Sequence, residues 1–125
     1  MLKIKLDAGA LGELEEAVKA AAQAAAEALR TEVVSAQVVP FDNGDLQGSI
    51  TVEPLKESGS IGARLITGSA DSPQARRLYF HPEYNFQTGH NPNARGEWLE
   101  PWLPGGDRED FAREAFAHKL KERMP

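Results

Sequence analysis

The chain has 125 residues, with Lys+Arg 14 against Asp+Glu 19, a formal net charge of -5 and no cysteine. That length and an ordinary hydrophobic content of 41% imply a single domain over residues 1–125 with one modest core, and they exclude collagen, coiled-coil fibres and wholesale disorder. The acidity argues against a chain that mainly grips nucleic-acid phosphates or an anionic membrane, and the missing cysteine removes disulfides, thiolate metal sites and a cysteine nucleophile.

Leu2, Ile4 and Leu6 alternate with Lys3 and Lys5, the pattern of a short half-buried edge strand. Residues 10–36 read as one long helix, with Leu11, Leu14, Val18, Ala22, Ala25, Leu29, Val33 and Ala36 recurring at steps of three and four. The run from 19 to 28 is almost all strong helix formers, and Pro40 prevents the helix from continuing. This helix is expected to lie across a sheet, with part of its Ala-rich surface free to pack on a neighbouring subunit. Asn43-Gly44 signals a turn. Alternation over 49–55 and 61–68 predicts an antiparallel hairpin, with its loop at 56–60.

Residues 69–73 are turn-rich, and the state of 74–80 is open. The stretch 81–96 contains Pro82, Gly89 and Pro92 and reads as a long irregular loop. Loops of that length are usually functional or disordered, and Phe80, Tyr84 and Phe86 make this one too aromatic for a plain linker. It is expected to be pinned to its own domain or to a partner. Trp98 and Trp102 are expected to anchor it to the core. After Pro104-Gly105-Gly106, read as a hinge, residues 107–123 form a second helix. Asp107 is its expected N-cap. Glu109 and Asp110 fall in its first turn, and Lys119, Lys121 and Arg123 in its last, matching the helix dipole. The fold class is therefore α+β, with two helices packed on a small, mainly antiparallel sheet and a long aromatic loop. No run reaches the ~18 apolar residues of a membrane span, and no secretory signal is read, so a cytoplasmic site of synthesis is expected.

Chemistry-bearing patterns are sparse. His81, His90 and His118 have none of the short spacings of helical or finger-type zinc sites. Asp42 and Asp45 flank a turn, where acids are already favoured for turn and cap reasons. A small metal-dependent hydrolase would need those two acids and a histidine to converge. There is no Gly-x-Ser-x-Gly elbow and no Walker A run. Arg76-Arg77 and Arg95 lie among aromatics, so an RNA-binding module would stack bases on Tyr79, Tyr84 or Phe86. The overall acidity weighs against that reading.

One stretch carries a resemblance. Pro40, Asn43-Gly44, Leu46, Ser49 and Ile50 resemble the "Pro … Thr-Gly-x-Leu-x-x-Ser-Ile" stretch of phage head–tail joining proteins, with Asn43 where Thr is common. Ser72-Pro73, Ala75-Arg76-Arg77 and Tyr79 resemble the "Pro-Tyr-Ala-Arg-x-x-Tyr" stretch that follows, with Gln74 in place of Tyr. Asn85-Phe86, Thr88-Gly89, Asn91-Pro92-Asn93-Ala94 and Trp98 resemble a segment of minor capsid proteins of long-tailed phages and prophages.

The resemblance implies a structural neck protein of the virion, made in a bacterial host cytoplasm, and not an enzyme. It implies an α+β subunit of a ring, often six-fold, between connector and tail. Such a ring completes the head–tail interface and lets DNA pass. Its partners would be further copies of itself and neighbouring phage connector and tail proteins, without specific nucleic-acid binding and without a membrane. No catalytic residue, cofactor or metal is implied. The expected subunit interface lies in 79–95, above all Tyr79, Tyr84 and Phe86, together with Arg77. An acidic ring would repel passing DNA rather than trap it, an expectation that a basic channel lining would overturn.

Overall fold

The computed structural model describes residues 8–40, 45–55, 61–68, 74–86 and 88–124. The expected N-terminal strand, the Asn43-Gly44 turn, the hairpin loop at 56–60 and the connector at 69–73 lie outside these residues. The first helix, α1, spans Ala8–Ser35. Its 28 residues make it about 42 Å long. Pro40 does not end it. The chain leaves the helix at Gln37, which adopts φ 57° and donates its N–H to the Val34 carbonyl at 3.1 Å. This left-handed exit is the usual helix stop, here made by a residue other than glycine.

The buried row of α1 also differs from the expected stripe. Ala17, Ala21, Ala25 and Val33 are buried, whereas Leu14 is 39% exposed and Val18 and Ala22 are half-buried. These residues lie on a row of steps of four, in which half-buried Leu29 fills the place between Ala25 and Val33. Such a row spirals slowly around the helix, and its small side chains let a neighbouring element come close.

A single turn, α2 (Asp45–Gly48), precedes the hairpin of β1 (Thr51–Pro54) and β2 (Ala63–Ile66). The strands are antiparallel, with Val52 opposite Leu65 and Glu53 opposite Arg64. Arg64 Nε donates to Glu53 Oε1 at 2.8 Å across the pair. Both strands pack on α1. Ser49 ties the hairpin ends together. Its hydroxyl donates to the Leu46 carbonyl at 2.6 Å and accepts the Gly68 N–H at 2.9 Å. Arg30 of α1 reaches across to the Ile50 carbonyl at 2.7 Å.

The segment of open state, 74–80, holds a short helix, α3 (Ala75–Tyr79). A 3₁₀ turn at Glu100–Trp102 follows the long loop. The last helix, α4, spans Phe111–Arg123. Asp107 is therefore not its N-cap. Asp110 holds that position without a capping hydrogen bond from its side chain, and Glu114 is the acid of the first turn. Residues 103–110 instead fold back on the 3₁₀ turn, with Arg108 N–H on the Pro101 carbonyl at 2.6 Å and Gly106 N–H on Leu103 at 2.9 Å. A side chain at Gly106 would collide with the Glu100 and Pro101 carbonyls. The expected hinge is thus a packed turn. At the C-terminal end, Lys121 and Arg123 lie in the last turn as expected, but Lys119 lies before it.

α4 packs along α1 and leaves none of its own side chains fully buried. Arg108, just before α4, pairs with Glu32 at 2.7 Å and lies over the Trp102 ring at 5.6 Å. Phe116 faces Ala22, Ala26 and Leu29. The helix therefore runs back along α1, antiparallel to it. The core gathers at the C-terminal end of α1, where Val33, Val38, Val39, Leu46, Ile50, Ala75, Trp98 and Trp102 are buried together. Leu65, Leu78, Leu99 and Phe111 close its edges. The architecture is α+β, with a long N-terminal and a C-terminal helix packed on a two-stranded antiparallel sheet. No helix among the described residues is long and apolar enough to cross a membrane.

Candidate interaction surface

The aromatic loop is fastened at its base. Asn91 is 2% exposed. Its amide nitrogen donates to the Val39 carbonyl and to Gln47 Oε1, each at 2.8 Å. Asn93 donates to the Ala36 carbonyl at 3.0 Å, and Arg95 N–H to Val38 at 2.9 Å. On its other side, Glu97 N–H meets the Tyr79 carbonyl at 2.7 Å, with Glu97 at φ 47°. Gly96 is buried where the backbones of Pro82 and Leu78 pass, and a Cβ there would meet Pro82 Cα at 2.7 Å. The segment 36–39, which leaves α1 with its carbonyls unused by the helix, thus finds donors in the loop. Backbone groups that leave a helix need such partners when buried.

Trp98 is fully buried. Tyr79 packs edge-on against it at 4.8 Å between ring centroids, and Phe80 packs edge-on against Tyr79 at 5.1 Å. Tyr79 is half-buried. Burial, helped by the Glu97 and Glu100 carboxylates, raises its hydroxyl pKa above the usual value. Beyond this buried edge the aromatics face outward. Phe80 is 58% exposed, and Arg76 lies over its ring at 5.3 Å, a cation–π contact of helical i,i+4 spacing. His81 stacks on Tyr84 at 4.7 Å with the planes 8° apart, and Phe86 lies 6.3 Å from Tyr84. His81 Nδ1 is 2.7 Å from Glu83 Oε1. That hydrogen bond lowers the Glu83 carboxyl pKa below its ordinary value.

A cleft of about 270 Å³ opens between β2, α3 and this aromatic edge. Leu65, Thr67, Trp98 and Leu99 line it, with Arg76, Tyr79 and Phe80 beside them. Trp98 Nε1 and Thr67 Oγ1 are both buried without a hydrogen-bond partner among the described residues.

The expected interface residues separate by environment. Arg77 and Tyr84 are exposed, Phe86 and Tyr79 are half-buried, and only Tyr84 and Phe86 stand in direct ring contact with each other. Tyr79 turns toward Trp98. Sequence reasoning passed over Asn91 as a clamp, although an Asn beside Pro in a long loop was its visible trace. It also passed over the pairing of Arg76 with Phe80, for which the four-residue spacing was the signal. The residues of the first resembling stretch, Leu46, Ser49 and Ile50, are buried. They hold the hairpin to the core.

Among the described residues no group of three or more His, Asp or Glu side chains converges to hold a metal ion. Asp42 lies outside the described residues, and Asp45 is described only as the start of α2. Comparison with protein-family models, curated proteins and solved structures gives no match to this chain.

Proposed function

We propose that this protein is a structural subunit of a phage neck, joining or completing the head–tail interface as part of a ring. The observation that carries the reading is the division of labour within 74–103. The residues that resemble minor capsid proteins include Asn91 and Trp98, which are buried and fasten the loop. The same loop holds Phe80 and Tyr84 at the surface, with Arg76 and Arg77 beside them on α3. A rigidly based, outward-facing aromatic and arginine surface suits protein contact, where those residue types dominate binding energy. Fastening the loop in advance reduces the ordering entropy lost on docking. Further copies of the chain and the connector and tail proteins above and below are the partners of this reading. The net charge of -5 suits a ring through which DNA slides.

Electron microscopy of particles made by a phage or prophage with a null allele of this gene tests the proposal. DNA-filled heads separate from free tails are expected. Normally joined virions would refute it.

A further inference from the structure

Two exposed surfaces lie on different parts of the chain and carry opposite charge. The first is the start of α1. α4 has 13 residues and spans about 20 Å, less than half the length of α1. It begins beside Glu32 and runs back past Leu29 and Ala22, so the first turns of α1 project beyond it. Residues 12–16 are all exposed. At about 100° per residue, Glu13 and Glu15 flank Leu14 on its two sides. Lys19 pairs with Glu15 at 3.4 Å and Glu16 at 3.7 Å. Glu13 has no ion-pair partner among the described residues. Over the described side chains, the start of α1 thus presents a leucine, 39% exposed, in an acidic frame.

The second surface is the cleft beside Phe80. Its floor is apolar, formed by Leu65, Trp98 and Leu99. Arg76 at its edge rests on the Phe80 ring and makes no ion pair among the described residues. Arg77, next to it on α3, is exposed and likewise has no acidic partner among them. An apolar hole edged by two arginines without an acidic partner among the described residues complements an apolar knob framed by glutamates.

We infer that this chain associates with itself head to tail: Leu14 of one copy enters the Phe80 cleft of the next, and Glu13 meets Arg76 and Arg77. This rests on the ring reading above and names the surfaces that would meet. Because the two patches differ and sit apart, the contact is heterologous. Repetition of such a contact closes a ring when the rotation allows and otherwise extends a filament. The arginines fix the register and disfavour a copy docked by another face, since unlike charges steer and like charges reject.

The chain has no cysteine, so engineered thiols report the contact directly. Leu14→Cys and Phe80→Cys replace exposed side chains and leave the core untouched. When the two single variants are mixed and oxidised, the expected product is the Leu14→Cys to Phe80→Cys heterodimer, in excess over both homodimers. A chain carrying both substitutions should give a ladder of covalent oligomers. Adding Glu13→Arg should lower the yield about tenfold, and combining it with Arg76→Glu and Arg77→Glu should restore it. Homodimers in equal amount, a closed two-fold dimer without a ladder, no cross-link at all, or a yield indifferent to the charge reversals would each overturn the inference. Its failure is separable from that of the ring reading. Absent cross-links together with unjoined heads and tails in the null particles remove only this surface. Joined virions remove the ring itself, whatever the thiols show.

Discussion

Replacing Asn91 by Ala tests what holds the aromatic surface in place. The side chain is 2% exposed and makes two hydrogen bonds of 2.8 Å. One acceptor is the carbonyl of Val39, a residue with no exposed surface. Stranding a buried carbonyl costs about 1–3 kcal/mol, and the lost bond to Gln47 adds about 1 kcal/mol. The expected total is about 2–4 kcal/mol, a large share of the ~5–15 kcal/mol typical of a domain. Urea unfolding followed by tryptophan fluorescence is the assay, since Trp98 and Trp102 are both buried beside the clamp. With a slope of about 2 kcal/mol per molar urea, the midpoint should fall by about 1–2 M. Gln47→Ala keeps the Val39 bond and should cost about 1 kcal/mol or less. Asn93→Ala, whose bond to Ala36 is exposed, should change stability by under about 0.5 kcal/mol. If Asn91→Ala costs no more than Asn93→Ala, the clamp does not hold the loop and the reasoning is refuted.

Three further outcomes are expected. Trp98→Phe keeps most of the packing and removes an indole N–H that has no hydrogen-bond partner among the described residues, so it should cost about 1.5 kcal/mol or less against about 3–5 for Trp98→Ala. Equal losses in thermal or urea unfolding would show that the N–H matters more than the ring. The Glu83 carboxyl should titrate below 4.5 by NMR, because the His81 hydrogen bond favours its charged form. The favourable contact is then present above that ordinary value and lost as pH falls through the depressed one, and His81→Ala should return the titration toward normal. Tyr84→Ala combined with Phe86→Ala should leave the fold within about 1–2 kcal/mol of the parent while weakening assembly into particles. Unfolding of that double variant would show that the two rings serve the core.

Several of these features were legible in advance because they depend on neighbours in the chain. Apolar residues at steps of three and four, with strong helix formers between them, specify α1 within two residues at each end. Alternation specifies both strands of the hairpin, and the density of Pro, Gly and aromatics marks 81–96 as irregular but ordered. The burial of Trp98 and Trp102 followed from their size and from their place after that loop. Helix boundaries were less legible. At α4 a good capping residue, Asp107, was available locally, but the 3₁₀ turn before it drew residues 103–110 into turns of their own, so the helix starts at Phe111.

What only the tertiary structure decided is who partners whom over long separations. The Asn91 bonds span 52 and 44 residues, Asn93 reaches across 57, and Arg108 meets Glu32 across 76. Nothing in the composition of a loop says which buried carbonyls it will satisfy. Those carbonyls exist only where another element ends, and here α1 ends at a left-handed Gln37 rather than at Pro40. The facing of α1 was settled in the same way. Its sequence offers more than one apolar row, and the folded chain buries the one built on Ala17, Ala21 and Ala25 and leaves Leu14 outside. Periodicity fixes that a helix has an apolar side, but the elements that pack on it select which apolar residues lose their water.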